Sequence, residues 1–127
     1  MGDKEQILIA DDSSDVIDGL QEYFGLHPES GHSIVGTAAS VEEVEELMRT
    51  GLQPTVALVD NKFPYRGAGE KALRIIKQYS PNTIVISFSN DPGLEWGDQN
   101  WSKPLIEVPG LLFRALTHLQ HKHPGNT

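Results

Sequence analysis

The 127-residue chain contains no cysteine, which excludes disulfides, thiol chemistry and thiolate metal sites. Basic residues are scarce: Lys and Arg number 10 against 18 Asp and Glu, for a formal charge of −8. A surface of that sign repels a phosphate backbone, so no nucleic-acid partner is expected. Long apolar runs are missing as well, none approaching the roughly 18 residues of a membrane span. The N-terminus meets Asp3, Lys4 and Glu5 at once, so no leader or membrane contact is expected and a cytoplasmic location follows. No internal repeat or low-complexity segment interrupts the chain. Its length suits one domain, 1–127, with a real core and a frayed polar tail over 121–127.

What is present is a strict alternation of short apolar runs and amphipathic stretches. The centre is Val56-Ala57-Leu58-Val59-Asp60, an unbroken apolar run closed by one carboxylate, as in a buried strand that delivers a charge to its exit. Ile7-Leu8-Ile9-Ala10 does the same, ending in Asp11-Asp12. Ser13 and Ser14 suit the cap of a helix whose stripe is Val16, Leu20, Tyr23 and Phe24. Ser33 to Ala38 is a short second strand. Ser40 with Glu43 forms a capping box ahead of Val41, Val44, Leu47 and Met48. Beyond Asp60, Pro64 breaks the ladder and Gly67-Ala68-Gly69 gives a loose turn into a helix bearing Ala72, Ile75, Ile76 and Tyr79. Thr83 to Phe88 is a fourth strand.

From Ser89 to Lys103 the rhythm fails. The stretch is rich in Gly, Asp and Asn and too short for a full helix and a strand. At most a turn of helix around Leu94–Trp96 is expected, then a short last strand near Trp101. A final helix follows Pro109-Gly110, with Leu112, Ala115, Leu116 and Leu119 as its stripe. The five histidines (His27, His32, His118, His121 and His123) read as solvated residues. Alternating strands and helices, the strands apolar on both faces, predict an α/β fold with a parallel sheet covered on two sides. Five strands favour the flavodoxin-like doubly wound order 2-1-3-4-5, which makes the first and third strands neighbours.

That order brings Asp11, Asp12 and Asp60 to one end of the sheet. Two unit charges about 4 Å apart repel by roughly 4 kcal/mol at an effective dielectric of about 20, a burden no marginally stable domain keeps for structural reasons. Asp11 and Asp12 alone are read equally well as acids dressing a helix N-terminus. Beside Asp60 they point to a hard cation on oxygen ligands, and Mg2+ fits best.

The strings Ile-Leu-Ile-Ala-Asp11-Asp12, Leu-Val-Asp60-Asn-Lys-Phe-Pro64, Ile-Val-Ile-Ser-Phe-Ser89-Asn90 and Trp101-Ser-Lys103-Pro104, in this order, resemble a two-component response-regulator receiver domain, chemotaxis-regulator-like and stand-alone, over nearly the whole chain. The resemblance implies that Asp60 is the phosphoacceptor. Asp11 and Asp12 would hold Mg2+ with Asp60 and the backbone carbonyl of Lys62. Ser89 would hydrogen-bond the phosphoryl group, Lys103 would pair with it, and Pro104 would be the cis-proline that follows. Ser89 and Trp101 would form the activation switch. A histidine kinase or phosphotransfer protein would supply the phosphoryl group, and the protein would be no enzyme beyond assisting its own phosphorylation and dephosphorylation. Output would pass through a downstream protein or a homodimer.

Each residue has a plain structural alternative: surface lysine for Lys103, turn residue for Ser89, core aromatic for Trp101, N-cap carboxylate for Asp60. Two departures from the family pattern stand out. Its fourth helix is cut to a remnant between Ser89 and Lys103. Asn90 also replaces a small residue, beside an Asp91 placed to pair with Lys62. A pseudo-receiver that docks proteins without taking phosphate is therefore the alternative. A haloacid-dehalogenase-type phosphatase needs an acid at the position of Lys62, and a flavodoxin or nucleotide loop finds no complete glycine-rich string.

Overall fold

In the computed structural model, residues 5–28, 31–61, 65, 67–89, 96–102 and 109–117 are described. The apolar runs become strands β1 (Gln6–Ala10), β2 (Ser33–Ala38), β3 (Val56–Asp60) and β4 (Ile84–Ser89), with a short β5 (Gln99–Ser102). The amphipathic stretches become helices α1 (Ser14–Gly25), α2 (Val41–Arg49), α3 (Ala68–Tyr79) and α4 (Pro109–Thr117). The sheet order is β2-β1-β3-β4-β5, every pair parallel, as the alternation predicts.

Period-two alternation divides each central strand between two cores. Ile7, Ile9, Val56, Leu58, Ile84, Ile86 and Phe88 meet Leu20 and Phe24 of α1 and Leu112 and Leu116 of α4. Leu8, Ala10, Ala57, Val59 and Val85 meet Val44 and Met48 of α2 and Ala68, Ala72 and Ile76 of α3. Two buried faces explain why these strands carry apolar runs rather than alternating polarity. Of the final helix's expected stripe, Leu119 lies outside the described residues.

The caps explain where the helices begin. Ser13 Oγ accepts from Val16 N–H at 3.3 Å and Ser40 Oγ from Glu43 N–H at 3.2 Å. The expected box at Ser40 differs in its return bond, since Glu43 Oε1 accepts from Ala39 N–H at 2.8 Å, one residue further back. The expected loose turn at 67–69 is narrower. Gly67 alone makes it, at φ 92° with no side-chain cap, while Ala68 and Gly69 are already in the first turn of α3. Trp96 is not helical and Leu94 lies outside the described residues, so no helix joins β4 to β5 among the described residues.

Side-chain hydrogen bonds hold the described end of that connection, from Trp96 into β5. Asp98 exchanges main-chain bonds with the edge of β4. Its N–H donates to Val85 O at 2.8 Å, and its Oδ2 accepts from Val85 N–H at 2.8 Å and from Lys77 Nζ at 2.6 Å. Asn100 Oδ1 accepts from Ser87 Oγ and, at 3.0 Å, from Gly97 N–H. At this point β4 and β5 carry the polar Ser87 and Asn100 and pair them with each other.

Two histidines correct the expectation of solvated rings. His32 is buried, its Nδ1 accepting from Glu5 N–H at 3.0 Å and its ring edge-on to Phe24 and Phe113. His27 stacks on Tyr23 at 4.2 Å between centroids. Both complete an aromatic cluster between α1 and α4. His118, His121 and His123 lie outside the described residues.

Candidate functional site

Adjacent parallel strands release their chains at the same edge of a sheet, and this edge is where open α/β sheets place their sites. β1 pairs with β3 so that Ala10 stands opposite Val59. The next residues, Asp11 and Asp60, therefore leave the sheet side by side. Asp11 is fixed by its backbone, whose N–H donates to Ala38 O at 2.9 Å, and by its Oδ1, which accepts from Ser13 N–H at 2.9 Å. Asp12 follows, exposed.

One carboxylate oxygen from each of Asp11, Asp12 and Asp60 lies within 4.8 Å of the other two. Asp11 and Asp60 are 1% and 2% exposed, so water screens their repulsion little. At that separation it amounts to roughly 3 kcal/mol or more for an effective dielectric of about 20. The donor set is oxygen only, with neither His nor Cys among the described residues that join it. Such a set suits a hard divalent ion that keeps part of its water shell, and these residues fit Mg2+.

Of the other residues expected here, Ser89 ends β4 opposite Ser102 of β5, one step beyond Phe88, which faces Asp60 across the β3–β4 pair. Its backbone is thus at the same sheet edge as the carboxylates. Trp101 sits half-buried in β5, edge-on to Phe88 at 5.9 Å, its indole N–H donating to Gln99 Oε1 at 3.2 Å. Lys62, Lys103 and Pro104 lie outside the described residues, as do Asn90 and Asp91.

Three residues near the site were not foreseen. Asn61, directly after Asp60, is 7% exposed. Its N–H donates to Phe88 O at 3.0 Å, its carbonyl accepts from Gly69 N–H at 3.3 Å, and its Oδ1 accepts from Trp96 Nε1–H at 3.0 Å. Gly69 leaves room for that indole: an added Cβ would lie 2.4 Å from one ring carbon of Trp96, 2.8 Å from another and 2.7 Å from the carbonyl oxygen of Asp60. Asn61 was marked only by its place after Asp60. Trp96, a lone aromatic in an unpatterned stretch, carried no signal.

No family model matches the chain, and no curated protein matches it. Solved structures do. The receiver domain of the stress response regulator RcsB from Escherichia coli, non-phosphorylated, is 19% identical with a TM-score of 0.69, over 90% of this chain and 91% of that one. A structure of the phosphorylated P1 domain of CheA3 in complex with CheY6 from R. sphaeroides matches at 17% identity and TM-score 0.64, over 87% and 91%. A LuxR-family two-component response regulator from Aurantimonas sp. SI85-9A1 is 24% identical with a TM-score of 0.59, over 72% of this chain and 62% of that one. This chain thus spans about three fifths of that last relative. The fold is that of response-regulator receiver domains.

Proposed function

We propose that this receiver-fold chain is a phosphoacceptor of a two-component phosphorelay, with Asp60 as the residue that takes the phosphoryl group. The observation that carries the reading is the meeting of Asp11, Asp12 and Asp60 within 4.8 Å at the exit of β1 and β3. Carboxylates form acyl phosphates as covalent intermediates. An oxygen of Asp60 would bond to phosphorus as the donor's P–N bond breaks, the departing imidazole taking up a proton.

Asp11, Asp12 and Asp60 would hold Mg2+, with the carbonyl of Lys62 as the further ligand that the resemblance implies. The cation's contribution is to neutralise charge on the phosphoryl oxygens during transfer. The chain's own contribution is position: the Ser13 N–H fixes the Asp11 carboxylate, the Asn61 N–H ties the peptide after Asp60 to Phe88 O, and burial excludes water from Asp60. Ser89 and Lys103 would bind the phosphoryl oxygens, and Ser89 with Trp101 would transmit the change. A histidine kinase or phosphotransfer protein is the proposed donor, supported by the likeness to a receiver structure that holds a phosphorylated P1 domain. The protein would act on no separate substrate, and its product is a changed surface for a protein partner, a second copy included.

The competing reading is a pseudo-receiver, favoured by the unusual connection through Asp98 and Asn100. Incubation with acetyl phosphate and MgCl2, followed by intact-mass measurement, separates the two. A phosphoacceptor gains one phosphoryl group that is absent in Asp60→Asn; a docking module gains none.

A further inference from the structure

We propose that Trp96 is a positioning residue of the acidic site, and that cation binding there is felt in the β4–β5 connection through it. The inference rests on the reading of Asp11, Asp12 and Asp60 as a divalent-cation site. Asn61 is the first residue after Asp60, and its buried Oδ1 has the indole N–H of Trp96 as a donor at 3.0 Å. Indole offers a donor and no acceptor, so the bond has one sense and one geometry. With its main chain tied to Phe88 and Gly69, a shift of Asn61 either carries the indole with it or costs this bond.

The ring's seat makes the coupling mechanical as well. The missing Cβ of Gly69 is the space where the indole, α3 and the Asp60 carbonyl come together. A close-packed contact of this kind transmits displacement rather than absorbing it. On its other side Trp96 runs directly into Gly97 and Asp98, whose bonds to Val85 and Asn100 make the connection a continuation of the sheet. Trp101 belongs to the opposite core and bonds within its own strand. The two indoles therefore report on different faces.

The test uses MgCl2 as probe, with affinity read by calorimetry and emission by tryptophan fluorescence. Trp96→Phe keeps the ring packing and loses the N–H, and its half-saturation should rise roughly three- to ten-fold, the effect of one neutral hydrogen bond. Asn61→Ala removes the acceptor of the same bond while the main-chain bonds to Phe88 and Gly69 remain, and carries the same expectation should the first variant fold poorly. In a Trp101→Phe background Trp96 is the sole indole, and its emission should shift saturably at the calorimetric half-saturation. Unchanged affinity in folded Trp96→Phe and Asn61→Ala, each verified by far-UV circular dichroism, overturns this proposal alone. A wild-type protein that binds no Mg2+ overturns the cation reading and this proposal with it.

Discussion

Replacing Asp98 tests whether hydrogen bonds hold the entry of β5 against β4. Asp98 Oδ2 accepts from both Val85 N–H, which belongs to a fully buried residue, and Lys77 Nζ. The two contributions differ in kind. The Lys77 and Asp98 side chains are 33% and 41% exposed, so solvent screens their attraction to about 1 kcal/mol at most. The Val85 N–H has no such relief, and leaving a buried donor without an acceptor costs about 1–3 kcal/mol. Asp98→Ala removes both and should cost about 2 kcal/mol, most of it from the N–H. For a domain of this size that is a fall in Tm of about 6–10 °C. Asp98→Asn keeps an acceptor oxygen and loses only the charge, so it should lose half of that or less. Urea denaturation at low and high salt is the assay. The gap between Ala and Asn variants should survive high salt, because it measures a hydrogen bond, whereas the gap between Asn and wild type should close. If Asn is as damaging as Ala, the ion pair holds the connection and the argument fails.

Other expectations concern the site and its scaffold. Asp11→Asn keeps an oxygen for Ser13 N–H but loses the charge. Mg2+ affinity measured by calorimetry should fall at least about ten-fold while the fold persists. Among the described residues Gly67→Ala meets no neighbouring atom, so its cost is that of holding a β-carbon at φ 92°, about 1–2 kcal/mol in chemical denaturation. Leu58→Ala, at a fully buried position between α1 and α4, should cost about 2–5 kcal/mol, with the spread set by how far Ile9 and Ile86 relax into the space.

The sequence was most legible where one physical force acted alone. β3 was plain because both faces of Val56–Val59 are buried, so nothing but hydrophobicity selected those residues. α2 was plain because its cap, Ser40, and its apolar stripe lie within one short window. The acidic cluster followed once strand order was known, since adjacency of β1 and β3 is a property of topology rather than of spacing. The 96–102 stretch resisted for the opposite reason. Asn100 and Asp98 bond there to backbone N–H groups through their side chains, and a side chain bonding one particular N–H leaves no period to find. Trp96 found its donor role only through a residue 35 positions away. His32 was misjudged because an imidazole nitrogen can accept a backbone N–H, here from Glu5, and so go inside with its aromatic neighbours.

The seat at Gly69 also sets a rule for how this chain can drift over generations. Adding even one methyl at that position collides with the indole at 96 and with the peptide of Asp60 at once. The glycine is therefore held twice over: a smaller ring at 96 would remove one of the two collisions, and the carbonyl of Asp60 would keep the other. Relatives with the same closure should keep the glycine whatever ring stands opposite it.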